Sequence, residues 1–153
     1  MPLRSSPDAA PVPGFFYGTL MDREILDLVV GRAVRDSDVE PAQIRGFRRV
    51  FVAGAVYPTL VRRHAARVEG LLVRGLTDMD YQRLAQYEGW EYRAENFQVR
   101  LVSGEVVGAR CFITKPEVGS VPKDWSLADW RRRFKPRYLA NLRRAHVPVS
   151  NRA

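Results

Sequence analysis

A six-residue segment, FFYGTL at positions 15–20, constrains the fold of this chain more than any other stretch. Its three aromatic residues predict a short buried strand, and Gly18 predicts a tight turn in a backbone conformation closed to other residues. A helix from about Met21 to Val30 should follow directly. Unpaired main-chain N–H groups and the positive end of a helix dipole would then meet at one point. The segment therefore predicts a site for a carboxylate or phosphate, with an ordinary turn that binds nothing as the alternative.

Glu88 is the second residue that the sequence singles out. Thr77 as N-cap and Gly89 as terminator predict a helix here, and Glu88 lies one helical turn after Leu84, on its core-facing side. A carboxylate in the last turn faces the negative end of the helix dipole, and aromatic neighbours shield it from water. Both effects disfavour the ionised form, which suits a group that takes and returns a proton. The alternative is a surface carboxylate like Glu91.

The remaining sequence consists mainly of strand patterns separated by turns. Four further segments have strand patterns: 42–52, 67–73, 92–102 and 105–115. Gly46 should kink or turn the first of them, and Ser103 with Gly104 should form a hairpin turn between the last two. Tyr57 and Pro58 predict a rigid extended corner. These patterns predict an α+β fold with a curled, largely antiparallel β-sheet or β-barrel and short flanking helices.

The length of 153 residues fits one domain. We interpret positions 1–13 as a flexible leader, 14–146 as the domain and 147–153 as a tail. The leader lacks the apolar centre of a secretory signal, and no apolar run approaches the ~20 residues that span a bilayer. A cytoplasmic location away from membranes is therefore expected. The single cysteine, Cys111, lies in an apolar run and is predicted to be a buried structural thiol rather than a nucleophile.

The net charge of +8 is concentrated at one end of the chain. Positions 131–153 hold eight basic residues and no acidic one, whereas the rest of the sequence is balanced. A helix capped by Ser126 and broken near Pro136 should carry most of this charge and end near His146. A nucleic-acid contact through this helix is one possibility, but few aromatic residues are interleaved for base stacking. A solvated helical face is favoured, and no nucleic-acid partner is expected.

Four motifs occur in a set order: YGTL at 17–20, YP at 57–58, VEGLL at 68–72 and YEGWEYR at 87–93. Together they resemble the gamma-glutamylcyclotransferase-like family, with the closest likeness to its avirulence-induced-gene branch, over roughly positions 14–145. Enzymes of this family cyclise a γ-glutamyl group to 5-oxoproline and release the attached amine or amino acid. The resemblance implies a small α+β barrel with a pocket between the YGTL loop and the acidic residue of the EG turn.

The resemblance also implies roles for individual residues. Glu88 matches the catalytic glutamate of the family. The predicted substrate-binding residues are Tyr17, Gly18, Thr19, Leu20, Tyr57 and Tyr92. The first four would hold the γ-glutamyl end through their main chain, with a tyrosine wall beside it. Trp90 and segment 115–125 are candidates to cover the pocket.

The chemistry requires no metal or cofactor, and none is expected. The α-amine of the substrate attacks its own γ-carbonyl, so one carboxylate can remove a proton from the amine and return it to the leaving nitrogen. Main-chain N–H groups of the Gly18 turn would stabilise the oxyanion. His64, expected on a solvated loop, and His146 stand alone. The alternatives are an enzyme that acts on a different γ-glutamyl amide or transfers the acyl group, and a non-catalytic small-anion binding module of the same fold.

Overall fold

The fold is a mixed five-stranded barrel with helices packed around it, as seen in a computed structural model that describes residues 12–145. The strands are β1 (Gly14–Phe16), β2 (Val39–Val52), β3 (Pro58–Val73), β4 (Tyr92–Leu101), β5 (Val106–Thr114) and β6 (Ser120–Asp124). The helices are α1 (Arg23–Val30), α2 (Asp78–Glu88), α3 (Leu127–Arg133) and α4 (Lys135–Ala145). The α+β barrel expected from the sequence is confirmed.

The barrel closes in the order β3, β1, β5, β4 and β2, with β2 pairing back onto β3. The β1–β5 pairing is parallel, through Gly14 and Arg110, and the other pairings of the described strands are antiparallel. The short strand β1 therefore lies inside the sheet, between two neighbours, and delivers the following YGTL segment to one end of the barrel. This placement decides where the candidate site forms.

The long hairpin of β2 and β3 differs from the sequence expectation. Segment 42–52 is part of one continuous strand, because a bulge at Gly46, with φ of 86°, absorbs the irregularity without ending the ladder. Its partner β3 also runs unbroken through Ala65, with φ of 66°. His64 is accordingly an exposed strand residue and not a loop residue.

Segment 115–125 also departs from its predicted role. It contains strand β6, which pairs with β2 through Asp124 and Val50. An edge strand tolerates Pro122, since a proline that faces outward removes no ladder hydrogen bond. The segment is thereby held along the sheet, and its residues are absent from the lining of the pocket described below. The prediction that it covers the pocket is wrong.

Two apolar clusters divide the core. The first fills the barrel and includes Phe15, Ile44, Val99 and Cys111, all buried. Burial raises the pKa of the Cys111 thiol, so this group is inert at neutral pH, as expected for a structural cysteine. The second cluster lies between the barrel and the helices, where Trp130 of α3 is 1% exposed. Helix α3 is therefore part of the core and not an appendage.

The C-terminal helices are tied to the body of the protein by ion pairs. Ser126 caps α3, and the chain bends at Phe134, so that Pro136 falls in the first turn of α4, where a proline is tolerated. The carboxylate of Asp22 forms ion pairs with Arg131 at 2.8 Å and with Lys135 at 2.9 Å. The basic face predicted to be solvated is thus partly engaged with acidic residues. His146, the leader up to position 11 and the tail lie outside the described residues.

No helix among residues 12–145 combines the length and the apolar character needed to cross a lipid bilayer.

Candidate functional site

The turn after β1 forms the floor of the candidate site. Gly18 has φ of −120° and ψ of −139°, and this φ is open to other residues, contrary to the prediction. Glycine is required here for another reason. A Cβ at this position would lie 3.0 and 3.2 Å from two ring carbons of Pro58, which is closer than side-chain contacts normally allow. The absence of a side chain lets the turn approach β3, the strand that begins at Pro58.

The segment after Gly18 is a one-turn 3-10 helix over Thr19–Met21, and α1 begins only at Arg23. Asp22 caps α1, accepting hydrogen bonds from the Glu24 and Ile25 amides at 3.1 and 3.2 Å. The predicted anion site at the N-terminus of this helix is therefore occupied by the protein's own buried carboxylate. The sequence prediction placed the helix start two residues too early because Asp22 was not recognised as its N-cap.

The main-chain N–H groups of Gly18, Thr19 and Leu20 remain available at this turn. None of them takes part in a hydrogen bond between the described residues, whereas the Gly18 carbonyl accepts one from Met21. Thr19 and Leu20 are buried, and the three residues line a pocket. Unused amides at the wall of a pocket can donate to a carboxylate or to an oxyanion. The donors predicted for a ligand are thus present, on the turn and not on the helix.

Arg49 of β2 fixes the position of this turn. Its guanidinium donates to the carbonyl oxygens of Tyr17 at 2.9 Å and Glu69 at 3.0 Å, and its Nε donates to that of Trp125 at 3.1 Å. A fork of donors that binds three carbonyls joins the end of β1 to β3 and to the start of α3. The sequence analysis missed this residue, since a single arginine within a strand of several arginines carries no distinguishing local signal.

The pocket lies between this turn and the C-terminal end of α2. Its lining contains all seven residues singled out from the sequence: Tyr17, Gly18, Thr19, Leu20, Tyr57, Glu88 and Tyr92. Glu88, half-buried, is the last residue of α2. The space that the centre of a water-sized sphere can reach is ≈ 40 Å³, so the pocket is narrow. The seven residues therefore lie together around one pocket, and their roles in binding and catalysis stay predictions.

The tyrosines of the wall are held by hydrogen bonds. The Tyr17 hydroxyl donates to the Phe112 carbonyl at 2.7 Å, and the Tyr92 hydroxyl donates to the Pro58 carbonyl at 2.7 Å. Burial raises the pKa of Tyr17 well above its ordinary value, and the nearby carboxyl group of Glu88 raises it further. Tyr17 therefore stays protonated at neutral pH with its proton already donated. It shapes the pocket and does not supply an acid.

A second set of hydroxyl groups crosses the pocket and was missed by the sequence analysis. Thr19 Oγ1 lies 2.8 Å from the Tyr87 hydroxyl, which in turn contacts the hydroxyl of Tyr138. Tyr138 belongs to α4, so the basic C-terminal helix contributes a wall of the pocket. Burial raises the pKa of Tyr87 strongly, and the neighbouring Tyr138 and Glu88 raise it further. These hydroxyls link three separated segments without ionising.

Two further predictions concern a cover for the pocket and a metal site. Trp90 is 69% exposed and does not line the pocket, so it is not a cover. Within residues 12–145, no group of three or more histidine, cysteine, aspartate or glutamate side chains is arranged to hold a metal ion.

The sequence of this chain is similar to a family model and to proteins of Arabidopsis thaliana. The family model described as Gamma-glutamyl cyclotransferase, AIG2-like matches residues 14–132. AIG2-like protein C of Arabidopsis thaliana is 26% identical over 127 residues, which cover 82% of this chain and 72% of the relative. AIG2-like protein D of the same plant is 28% identical over 120 residues, covering 76% and 77% of the two chains. The resemblance found in the motifs is thus confirmed.

Solved structures agree with this assignment. A protein of Arabidopsis thaliana determined in solution superimposes with a TM-score of 0.64 at 20% identity, over 92% of this chain and 85% of that chain. A structure named Gamma-glutamyl cyclotransferase gives a TM-score of 0.57 at 15% identity, over 71% and 69%. At such identities the likeness shows the fold alone. Because the family model spans most of the chain, including the YGTL turn and Glu88, the chain belongs to the gamma-glutamyl cyclotransferase, AIG2-like family.

Proposed function

We propose that this protein is a cytoplasmic enzyme that cyclises a γ-glutamyl group to 5-oxoproline and releases the attached amine or amino acid. The observation that carries the proposal is the meeting of two features in one pocket. A half-buried carboxylate, Glu88, lines the same narrow space as the unused main-chain amides of Gly18, Thr19 and Leu20. Membership of the gamma-glutamyl cyclotransferase, AIG2-like family supports the same reaction class.

In the proposed reaction Glu88 acts as both general base and general acid. It takes a proton from the α-ammonium of the substrate, and the amine then attacks the γ-carbonyl carbon. A new C–N bond closes the five-membered ring. When the original C–N bond breaks, Glu88 returns this proton to the leaving nitrogen. The ring nitrogen loses a second proton to become the lactam N–H, and the released amine takes up this proton and leaves as an ammonium group. The two protons lost by the attacking nitrogen are thus the two gained by the leaving nitrogen, and the reaction needs neither water nor an oxidant.

The turn at Gly18 supplies the electrostatic part of the mechanism. Ring closure places negative charge on the γ-carbonyl oxygen, and amide donors already oriented by the fold stabilise it without rearrangement. The Arg49 contacts hold the Tyr17 carbonyl and thus the turn that carries these donors. Folding the flexible γ-glutamyl chain within a narrow pocket also brings the amine close to the carbonyl, which lowers the entropic part of the barrier.

The direct test is release of 5-oxoproline from a panel of γ-glutamyl amino acids, γ-glutamyl-lysine linked through its side chain, and glutathione. We expect turnover of at least one member without added metal or cofactor. Release of the amine without 5-oxoproline, in the presence of an acceptor amine, would indicate acyl transfer instead. Binding without any product would favour the small-anion binding module. Mass spectrometry of the products separates these three results.

The close approach of Gly18 to Pro58 makes a specific prediction. Gly18→Ala should lower kcat/KM by about tenfold, because the added methyl group displaces the turn by a few tenths of an ångström and misaligns its amide donors. The matched control is Gly108→Ala in β5, where the nearest atom to an added Cβ is Gln98 Nε2 at 3.9 Å. Equal kcat/KM values for the two variants, measured by 5-oxoproline release, would contradict this account of the turn.

A further inference from the structure

A surface groove adjoins the pocket on the other side of Tyr138. It is lined by Val56, Arg133, Phe134, Pro136, Arg137, Tyr138 and Asn141. Tyr138 lines both spaces, and Val56 of the groove precedes Tyr57 of the pocket in the chain. The groove is much larger than the pocket, with a volume of ≈ 560 Å³ against ≈ 40 Å³. A substrate whose reacting end fills the narrow pocket must place its remaining atoms outside it, and the groove is the adjoining space.

The groove is positively charged. Arg133 and Arg137 are its charged residues, and no carboxylate is among the residues that line it. The Arg137 side chain takes part in none of the ion pairs or side-chain hydrogen bonds found within residues 12–145. Arg133 reaches Asp129 only at 3.4 Å, with its side chain 48% exposed. The first turn of α4, which borders the groove, also contains no acidic residue. Two guanidinium groups, one without an ion pair and the other with a single long one, leave capacity for an anionic ligand.

We propose that this groove binds the leaving part of the substrate, with Arg133 and Arg137 holding a carboxylate that it carries. The proposal rests on the proposed function and specifies its substrate class. Substrates are then γ-glutamyl amino acids or short γ-glutamyl peptides, and γ-glutamylamines without a carboxylate are poor substrates. The Asn141 amide adds a polar partner, while Phe134 and Pro136 provide apolar surface for a side chain.

The position of the groove explains why the family alone does not predict this preference. The family model ends at residue 132, before α4 begins. Tyr138, Arg137 and Asn141 lie beyond that boundary, and Arg133 lies directly after it. The reacting end of the pocket is built from residues within the family match, whereas the leaving-group side is built by the C-terminal helices of this chain. The substrate class is therefore decided by α4 and by Arg133, the last residue of α3.

A pair of substrates that differ only in charge tests the proposal. γ-Glutamyl-alanine carries the carboxylate, and γ-glutamyl-alaninamide replaces it with a neutral group of nearly the same shape. We expect kcat/KM for the acid to exceed that for the amide by about tenfold. In the double variant Arg133→Gln/Arg137→Gln this ratio should fall to about one, because the acid loses its advantage over the amide. The same comparison with γ-glutamyl-alanyl-glycine and its C-terminal amide covers a carboxylate placed farther from the reacting bond.

The control is Arg132→Gln, which removes one positive charge from α3, the helix that ends with Arg133. Arg132 pairs with Asp129 and does not line the groove. It should keep the preference for the acid. An equal kcat/KM for acid and amide at both substrate lengths in the wild type, or a preference that survives in the double variant, would overturn the proposal.

A binding experiment separates failure of this proposal from failure of the proposed function. Calorimetry with the Glu88→Gln variant measures the Kd of both compounds without turnover. Tighter binding of the acid, lost when Arg133→Gln and Arg137→Gln are added, supports the groove even if no compound is cyclised. Equal affinities for acid and amide overturn the groove alone. Absence of binding by both compounds overturns the groove together with the proposed function.

Discussion

Replacing Glu88 with glutamine should reduce 5-oxoproline release by about 10³-fold while leaving the fold intact. The substitution keeps the shape of the side chain and deletes only the group that transfers the proton, a contribution that typically accounts for 10²–10⁴ in rate. The residue ends α2 and is half-buried at the pocket, so the amide fits the same space. Single-turnover kinetics with the best substrate of the panel measure the loss, and the Tm should change little.

A second carboxylate nearby provides the control for this experiment. Glu95 of β4 is paired with Arg93 at the surface and does not line the pocket. Glu95→Gln therefore removes one negative charge at a similar place in the sequence without touching the proposed chemistry, and its rate should match the wild type. If Glu88→Gln retains wild-type turnover, proton transfer by this residue is refuted and the role of the pocket must be reconsidered.

The second large effect concerns stability and is expected at Asp22. Asp22 is 1% exposed, and its carboxylate caps α1. The same carboxylate forms ion pairs with Arg131 and Lys135 of the C-terminal helices. Asp22→Ala should destabilise the protein by about 3 kcal/mol, from the loss of a helix cap and of two ion pairs to a buried carboxylate. Thermal unfolding should show a Tm lower by roughly 10 °C. A Tm within a degree of the wild type would contradict this assignment.

Asp22→Asn separates the two contributions. Asparagine can still accept hydrogen bonds from the α1 amides but cannot form the ion pairs, so we expect an intermediate loss of stability. Lys135 also pairs with Glu24 at 3.1 Å, and this exposed pair persists in both variants. Since α4 carries Tyr138 into the pocket, both variants should also show a raised KM.

The pH dependence of stability provides a further readout of Asp22. Burial raises the pKa of this carboxyl, but hydrogen bonds from Lys135, Arg131 and the Ile25 amide outweigh burial and lower it below its ordinary value of 3.8. The stabilisation is therefore present above that value and is lost as the pH falls through the lower pKa of the folded state. The difference in unfolding free energy between wild type and Asp22→Asn should shrink on acidification in that range.

Local sequence signals predicted the elements that hold the reacting end of the pocket. The predicted N-cap Thr77 and the terminating Gly89 are both observed at the ends of α2. The first helix was predicted to end near Val30, and Gly31 ends α1 with φ of 80°, the left-handed conformation typical of a glycine after a helix. Such signals depend on residues within one or two turns of each other, so they can be read without knowledge of the fold. They placed Glu88 at the end of its helix.

Errors in the prediction came from places where distant strands decide the local structure. The sequence predicts two strands with a kink or turn at Gly46, but the pairing of β2 with β3 carries one continuous strand through a bulge there. Segment 115–125 is predicted to be a loop that covers the pocket, but part of it pairs with the edge of β2 and forms strand β6. In both cases the ladder hydrogen bonds are made with residues far away in sequence, and they outweigh the local preference for a turn.

Motif order and helix signals are local, so the α+β class, the YGTL turn and the carboxylate that lines the same pocket could be predicted from the amino-acid sequence. Only the tertiary structure showed that Asp22, and not a ligand, occupies the start of α1. Only the tertiary structure placed Arg49 on the Tyr17 carbonyl and Tyr138 in the pocket wall. The bond between Asp22 and Arg131 joins residues 109 positions apart, and such a contact exists only once the barrel closes and α3 packs on it.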